Sequence, residues 1–463
     1  MLFRQMPFSN PDRLVWIWAT HTDRDKAFFS IPDFQDISNQ NTTLDAVSGI
    51  AGWAANLTGA GEPERLYGLR ETANTFGVLG TEAGIGRVLQ DADARPDSTP
   101  VVVLTYKTWK SRFGADYGLV GRTITLNGDS YTVVGVLTPN FVFPRQPDAE
   151  MVAPLKLESD PRRSERGSNF IRAFARLKAG ATVAQARIDL AAITGRLRQM
   201  YPETNSKYTA PNVLPLFDEL VGNYRPALLM LLGAVGVVLL IGCSNLASLL
   251  LARASARRSE IAIRTALGAD RGRLLRQLLT ESLMLALAGG LTGLILAWRS
   301  IPLLLAIAPG EMARGQVVHV DGAVLAFALL VSLISAILFG LAPALELSKV
   351  DLNEAIKAGN RGSCDSGRSN KARKSLMALE IALSLVLLIN AGLLIKGFTR
   401  LTAVDPGFKS DHRLIVQLSL PNSRYATAAS VKGFYQKLTP RLRAMPGVED
   451  VGLVSVPPLS GLL

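Results

Sequence analysis

The stretch that decides the fold is Pro226–Ala252, PALLMLLGAVGVVLLIGCSNLASLLLA, in which 27 consecutive residues carry no charge. A bilayer core of about 30 Å is crossed by roughly 20 helical residues, so this stretch is long enough to span a membrane. Three more long apolar stretches follow it, at Ser282–Trp298, Gly322–Leu345 and Ser375–Ile395. Buried helices of a soluble protein are the alternative, but a chain with 48% hydrophobic and only 19% charged residues favours the bilayer. The sequence therefore predicts an α-helical membrane domain with four transmembrane helices.

The distribution of basic residues predicts the orientation of these spans. Residues 1–225 hold 25 basic and 24 acidic residues, so the formal net charge of +12 arises almost entirely beyond the start of the first span. Seven Lys or Arg residues lie in each of the segments 253–276 and 349–374. The second apolar stretch continues past Arg299 to Pro309, and the connection from there to the third span has one basic residue, Arg314. Basic loops stay in the cytoplasm during insertion. Residues 1–225 and the tail after Ile395 are therefore expected outside, and the charge does not indicate nucleic-acid binding.

The region before the first span is predicted to be an α+β domain. Val101–Thr105 is a short apolar run after Pro100, as in a buried strand. Thr123–Leu126 and Tyr131–Val136 flank Asn127-Gly128, a pair that tolerates the positive φ of a tight hairpin turn.

Two helices with an apolar stripe are predicted outside the membrane, and both stripes are expected to pack in a core. Thr182 and Gln185 have capping-box spacing. The stripe that follows them contains Ala186, Leu190, Ile193, Leu197 and Met200. The second stripe contains Val431, Phe434, Leu438, Leu442 and Met445.

The sequence contains no pattern typical of a catalytic centre. His21, His319 and His412 are scattered, with no spacing that makes a metal site or a nucleophile and base pair. Pairs of acids such as Asp91 and Asp93 are expected to be solvated surface residues. No Gly-x-x-x-x-Gly-Lys-Ser/Thr motif occurs, so ATP hydrolysis is expected in another subunit and no cofactor is expected in this chain. A membrane-anchored extracytoplasmic enzyme is the alternative that these observations make least favourable.

The inside segment from Arg253 to Glu281 is predicted to be an amphipathic helix interrupted by a turn at Gly268-Ala269-Asp270. Its physical chemistry fits two roles equally, a helix that lies on anionic lipid or a docking site for a cytoplasmic partner. The apolar side contains Ile261, Thr265, Leu267, Leu274, Leu275 and Leu278. The charged side contains Arg257, Arg258, Arg264, Arg271 and Arg273.

Residues 257–269, RRSEIAIRTALGA, resemble the FtsX-type permease domain, and so do Ala342–Ala344 and Asp351–Lys357. Gly80–Leu89, Pro100–Phe113, Gly121-Arg122 and Tyr131–Phe143 resemble, in that order, the MacB-type periplasmic core domain. The chain is thereby identified as a member of the MacB/FtsX-type ABC transporter permeases, in a subgroup with a duplicated permease unit and incomplete at both ends.

The resemblance implies five segments. They are an extracytoplasmic MacB-type core domain at 1–225 without its opening part, an FtsX-type permease domain with three transmembrane helices at 226–348, a cytoplasmic linker at 349–374, the first transmembrane helix of a second copy at 375–398, and the start of a second extracytoplasmic core domain at 399–463.

The resemblance also implies a function, that of the permease subunit of an ABC transporter in a bacterial inner membrane. A separate cytoplasmic ATPase would bind ATP-Mg, and its hydrolysis would move the extracytoplasmic domain for export or efflux. A scaffold that transmits this motion to an extracytoplasmic partner without moving cargo is the alternative. Membrane lipid, a periplasmic adaptor and a dimer or pseudo-dimer are the other expected partners, and nucleic acid is not.

Two sets of residues are predicted to serve this function. Small residues let helices approach closely in lipid, and those expected to pack helices are Gly289, Gly293, Ser332, Ala336 and Gly340. The resemblance assigns coupling to the ATPase to Arg257, Arg258, Glu260, Arg264, Leu267, Gly268 and Ala269.

Overall fold

The computed structural model describes residues 6–59, 62–222, 225–256, 271–307, 367–404 and 427–454, with isolated residues and short pieces within 322–334 and 407–425. The chain forms two compact units, one of residues up to Asn223 together with those from Leu414 onward, and one of Tyr224–Arg413. The name "sheet domain" is used below for residues 6–222.

The sheet domain is built on one large, mainly antiparallel β-sheet. Its strand order is β11-β1-β10-β3-β4-β9-β6-β8-β5; β2 pairs with β1, and β7 pairs with β3 and β8. Only the β4–β9 and β6–β8 pairs are parallel among the described strands. The strands are β1 (Leu14–His21), β2 (Arg24–Ala27), β3 (Leu44–Thr58), β4 (Glu64–Glu71), β5 (Ala83–Gly86), β6 (Val101–Leu104), β7 (Thr123–Leu126), β8 (Asp129–Leu137), β9 (Met151–Pro154), β10 (Arg172–Leu177) and β11 (Asn212–Pro215).

The helices of the sheet domain are short, whereas those of the second unit are long. In the sheet domain they are α1 (Ile31–Gln40), α2 (Thr75–Leu79), α3 (Tyr106–Arg112), α4 (Val183–Met200), α5 (Pro202–Asn205) and α6 (Leu216–Val221). In the second unit they are α7 (Arg225–Ala256), α8 (Arg271–Ile307) and α9 (Gly367–Thr402), and a final helix, α10 (Ala428–Arg443), follows.

Strand β1 is apolar on both faces because helices cover the sheet on both sides. Val15 and Ile17 pack in the core under α1 and α4. Trp16 and Trp18 point the other way, into the core that α2 and α6 cover. A third core lies beside α3 around the fully buried Leu104 and Leu126. Such burial of both faces explains why this strand lacks the alternation of apolar and polar residues that marks a half-solvated strand.

The predicted hairpin is confirmed. Strands β7 and β8 pair from Thr123 opposite Thr132 to Leu126 opposite Asp129. Asn127 and Gly128 form the turn with φ of 55° and 88°, the positive values that a type I′ turn requires. Asn127 also fixes the hairpin to β3, because its side-chain oxygen accepts the Asn56 amide at 2.8 Å.

The predicted helix after Thr182 is confirmed, together with its capping box. The Thr182 hydroxyl accepts the Gln185 amide at 3.2 Å, and the Gln185 side chain accepts the Thr182 amide at 2.8 Å. Ala186, Leu190, Ile193 and Leu197 are buried as predicted, but Met200 is 66% exposed. The prediction for Met200 is wrong because α4 ends at this residue, before Pro202, and the neighbouring Tyr201 packs against the core instead.

Two of the described helices are long and apolar enough to cross a membrane. The candidate spans are Arg225–Asn245 in α7 and Lys374–Arg400 in α9. They coincide with the first and fourth predicted spans, and α8 contains the second predicted span. Most of the third, Gly322–Leu345, lies outside the described residues. The total of four transmembrane helices therefore stays a prediction.

Helix α10 forms where the second extracytoplasmic stripe is predicted, and a capping box at its start explains where it begins. The Thr427 hydroxyl accepts the Ser430 amide at 3.2 Å, and Ser430 returns a contact to the Thr427 amide. None of its residues is buried, and Met445 just after it is 54% exposed. The prediction of a packed core on this stripe is thus not realised among the described residues.

Candidate functional site

The residues predicted to couple to an ATPase lie between the end of α7 and the start of α8. Arg257, Arg258, Glu260, Arg264, Leu267, Gly268 and Ala269 all fall in this segment, outside the described residues. Their role stays a prediction. The flanking helices are described, and both are long: α7 has 32 residues and α8 has 37.

The predicted helix-packing residues fall partly in α8. No described atom lies within 4 Å of the place where a β-carbon would stand on Gly289 or Gly293. Both glycines are therefore accessible to another helix. Ser332, Ala336 and Gly340 lie outside the described residues, and packing at all five positions stays a prediction.

A contact between α7 and α9 that the sequence did not predict brings the two candidate membrane spans together. The Ser244 hydroxyl donates to the Leu376 carbonyl oxygen at 3.4 Å. Ser244 is only 5% exposed and Cys243 is also buried, whereas most described neighbours in α7 are exposed. The polar pair Ser244-Asn245 inside an apolar run is the signal that could have indicated this contact, because hydroxyls commonly bond across helices in lipid.

The last helix of the sheet domain, α6, is held by a buried carboxylate. The Glu219 side chain is fully buried, and Lys26 Nζ lies 3.0 Å from each of its oxygens. Arg145 donates to the same carboxylate from the loop before β9. Arg145 adopts a φ of +59°, a conformation that costs energy for a residue with a β-carbon.

This arrangement ties α6 to β2 and to the loop before β9, and we call it the α6 anchor (Lys26, Arg145 and Glu219). Three residues, 222–224, separate the end of α6 from the start of α7. Along the chain, the anchor is thus the last charged contact of the sheet domain before the first apolar helix.

A second buried carboxylate, Asp33 in α1, organises the other face of the sheet. It accepts hydrogen bonds from the Asn205 side-chain amide at 2.8 Å, the Tyr208 hydroxyl at 3.2 Å and the Arg166 guanidinium at 2.6 Å. Burial, together with Asp33, raises the pKa of Tyr208 above its ordinary value. Arg166 also reaches Asp36 at 2.6 Å. Every member has a partner, which is the pattern of a structural network rather than of a reactive group.

Glu71 is a buried carboxyl of a different kind. It lies at the end of β4, opposite Ile50 of β3 and Pro154 of β9. Neither carboxyl oxygen has a hydrogen-bond partner of acceptable geometry among the described residues. Burial raises the pKa of Glu71 to about 8, and the nearby Thr75 hydroxyl only partly opposes this rise. Glu71 is therefore mostly protonated in the folded protein at neutral pH.

Asp93 is buried, which corrects its interpretation as a solvated surface acid. It accepts two hydrogen bonds from the Arg87 guanidinium, at 2.6 and 2.8 Å, and one from the Gln90 amide at 2.8 Å. Burial alone would raise the pKa of Asp93, but these hydrogen bonds hold it below its ordinary value. The acid caps a helical turn and fastens the loop between β5 and β6.

In the part of the chain that the structure describes, no cluster of side chains suits metal binding or nucleophilic catalysis. No group of three His, Cys, Asp or Glu residues there could hold a metal ion. The ring of His21 stacks edge-on against Tyr208 with centroids 4.6 Å apart, and burial lowers the pKa of His21. What the described arrangement does is structural: it fixes α6, the last helix of the sheet domain before α7 in the sequence.

Comparison with known proteins identifies two domains in the chain. The MacB-like periplasmic core domain family matches residues 2–193, and the FtsX-like permease C-terminal family matches residues 232–352. The second match contains all seven predicted coupling residues and all five predicted helix-packing residues.

Individual relatives agree with these matches. The chain is 32% identical over 138 residues to the uncharacterized ABC transporter permease YknZ of Bacillus subtilis, covering 30% of this chain and 33% of that protein. It is 26% identical over 350 residues to the macrolide export ATP-binding/permease protein MacB of Chlorobium luteolum, covering 73% of this chain and 50% of that protein. The chain thus spans half or less of the length of these curated relatives.

A solved structure with a similar fold is the periplasmic region of MacB from Actinobacillus actinomycetemcomitans. The sequence identity is 18% and the TM-score is 0.34, over 46% of this chain and 92% of that one.

Proposed function

The chain belongs to the MacB/FtsX-type ABC transporter permeases, and on this basis we propose that it couples ATP hydrolysis in a cytoplasmic ATPase to movement of its periplasmic domain, for export or efflux. One observation carries the proposal. The periplasmic core match ends within α4 at residue 193 and the permease match begins within α7 at residue 232, so the chain passes from one matched domain to the other through α5, β11, α6 and the start of the first apolar helix.

The direction of the coupling is from the segment between α7 and α8 outward. The ATPase binds ATP-Mg and docks on the segment 257–269, where Glu260 and the arginines make ion pairs and Leu267 packs into a groove of the partner. Movement of α7 then pulls on α6 through the short connection between them. The α6 anchor passes this force to β2 and to the loop before β9, because Glu219 is bound to both.

Export is the proposed outcome because the Chlorobium relative is described as a macrolide export protein. That relative is also described as a fused ATP-binding/permease protein. Because that description joins both functions in one protein, a separate ATPase subunit for this chain is itself proposed and is not taken from that relative. The proposal also includes four transmembrane helices in the inner membrane, a duplicated permease unit, and a dimer or pseudo-dimer that meets a periplasmic adaptor.

The scaffold without cargo is the second candidate function. It is favoured by the sheet domain itself, whose described buried carboxylates serve packing, as Asp33 and Glu219 show. A cell-wall enzyme that copurifies with the periplasmic domain would support this candidate over export.

The test of the proposal is the double substitution Glu260→Lys with Arg264→Glu. We expect it to abolish stimulation of the partner ATPase by this chain in nanodiscs while membrane insertion persists, because it reverses the charges of the docking segment. The matched control is Asp116→Lys with Arg122→Glu, which reverses an exposed ion pair of the sheet domain with an N–O distance of 3.6 Å. Equal ATPase stimulation by the two double variants would contradict the coupling role of the segment.

A further inference from the structure

Two cations lie over two buried tryptophans on the face of the sheet that α2 and α6 cover, and a third lies over Phe28, whose ring is 6.1 Å from that of Trp18. The guanidinium carbon of Arg145 lies 5.1 Å from the ring centre of Trp18 and 6.0 Å from that of Trp16. Lys26 Nζ lies 5.4 Å from the ring centre of Trp18. Arg172 is the third cation, and the charge of Arg145 acts on it. We call Lys26, Arg145, Arg172, Trp16 and Trp18 the cationic cluster.

Arg172 differs from the other two cations because it has no acidic partner. It lies at the start of β10 opposite Ile50, and its guanidinium carbon is 5.2 Å from the ring centre of Phe28. Its Nη1 atom is buried and has no hydrogen-bond partner among the described residues, where no carboxylate forms an ion pair with it. Burial, with the charge of Arg145, lowers the pKa of Arg172.

The two indole nitrogens are also without acceptors. Nε1 of Trp16 and Nε1 of Trp18 are buried and have no hydrogen-bond partner among the described residues. The side chains touch each other, with ring centroids 5.7 Å apart, and Trp16 is fully buried. Buried donors nearly always have an acceptor, so three of them in one cluster call for an explanation.

The charge balance of the cationic cluster, like its unpartnered donors, favours an anionic ligand. Lys26, Arg145 and Arg172 bring three positive charges, and Glu219 is the single carboxylate that pairs with any of them in the described structure. Two positive charges therefore remain uncompensated. The side chains of Lys26 and Arg145 are 41% and 36% exposed, which leaves the cluster open to solvent on one side.

From these observations we propose that the cationic cluster binds a phosphate group. A phosphate offers several strong acceptor oxygens and negative charge, which match the unpartnered Nη1 of Arg172, the indole donors and the uncompensated charge. It has two plausible chemical sources, a soluble phosphate compound or a phospholipid headgroup. The lipid is one of them because Glu219 precedes Arg225, the first residue of α7, by only six positions. This binding site does not depend on the proposed transport function.

The test uses the full chain in dodecyl maltoside and two phosphate probes. Inorganic phosphate is titrated against chloride at constant ionic strength, and phosphatidylglycerol is titrated against diacylglycerol, which has the same chains without the phosphate. We expect a saturable change in tryptophan fluorescence and a rise in the unfolding temperature, because a ligand that binds only the folded state stabilises it.

Two variants and one control identify the site. We expect Arg172→Gln and Arg145→Gln each to raise the half-saturating phosphate concentration about tenfold, as for loss of one charge-assisted hydrogen bond. Arg145→Gln alters an exposed loop residue and keeps the test valid if Arg172→Gln does not fold. Arg70→Gln is the matched control, because Arg70 stacks on Trp53 at a similar 5.2 Å on the other sheet face.

Each result has a defined meaning. A response to inorganic phosphate that both cluster variants weaken supports a site for a soluble phosphate compound. A response to phosphatidylglycerol but not to diacylglycerol, weakened in the same variants, supports a lipid headgroup site. Absence of a saturable response to both probes, or a response that Arg70→Gln weakens as much as the cluster variants do, overturns the proposal.

Discussion

Replacing Glu71 by Gln should remove most of the dependence of the sheet domain's stability on pH between pH 5 and 8. Glu71 is fully buried at the end of β4, and Gln has nearly the same shape but no ionisable proton. The substitution therefore changes the titration with little change in packing. Any alteration of the pH profile can be assigned to the carboxyl group itself.

The magnitude follows from the two pKa values of this carboxyl. Its pKa is 4.5 when exposed and about 8 in the folded protein. Between these values the unfolded chain releases the proton while the folded protein keeps it, so the free energy of unfolding falls as pH rises. At about 1.4 kcal/mol per pH unit, the stability present below pH 4.5 falls by about 5 kcal/mol once pH exceeds 8. From pH 5 to pH 7 the loss is about 2 to 3 kcal/mol.

The assay is denaturant unfolding of the full chain in dodecyl maltoside, followed by tryptophan fluorescence at pH 5, 6, 7 and 8. Trp16, Trp18, Trp53 and Trp109 all lie in the sheet domain, so four of the five tryptophans report on it. His21, whose pKa burial lowers, is present in both proteins, so its contribution cancels when they are compared.

Glu82→Gln, which neutralises an exposed acid before β5, is the control and should follow the wild-type profile. A difference in unfolding free energy between wild type and Glu71→Gln that stays constant from pH 5 to pH 7, within about 0.5 kcal/mol, would refute the reasoning.

Three further outcomes are expected. Glu219→Ala should lower the free energy of unfolding by about 3 kcal/mol, because it leaves two cations beside a buried void. Asp116→Asn, at an exposed ion pair, should lower it by less than about 1 kcal/mol. Similar losses for the two variants in denaturant unfolding would argue against the α6 anchor. Gly289→Leu should leave the fold of the monomer intact, because the space around it is open, and should weaken association between chains in crosslinking; unaltered crosslinking would remove Gly289 from the interface. In a background without native cysteines, an impermeant maleimide added to intact cells should label Asp129→Cys and spare Ala256→Cys; the reverse pattern would invert the topology.

Local patterns in the sequence predicted local structure well. The Asn127-Gly128 hairpin and the Thr182 capping box both form as predicted, because their geometry depends on residues within a few positions of each other. The first apolar helix is likewise set by its own composition. Met200 shows where this information ends, since its spacing fits the stripe but the helix ends there and Tyr201 packs against the core in its place.

The burial of charged residues could not be predicted in this way. Glu71, Arg172 and Glu219 look like ordinary surface residues in the sequence. The pairing of distant strands places Glu71 and Arg172 beside β3, and the position of α6 buries Glu219 against Lys26. The parallel β4–β9 pair joins segments more than 80 residues apart, and no local pattern encodes such a contact. The coupling role of residues 257–269, by contrast, was predicted from a family resemblance and stays a prediction, because charge and amphipathicity alone fitted a lipid surface equally well.

The length of strand β3 determines how much of the sheet domain depends on this one strand. Its 15 residues extend for about 50 Å, and it pairs with β10 over its first half and with β4 over its second, up to β7 at its end. The pairing with β4 runs from Ile50 to Leu57 without a bulge. One unbroken strand therefore supplies residues to all three cores of the sheet domain, so that a displacement of β3 would disturb all three together.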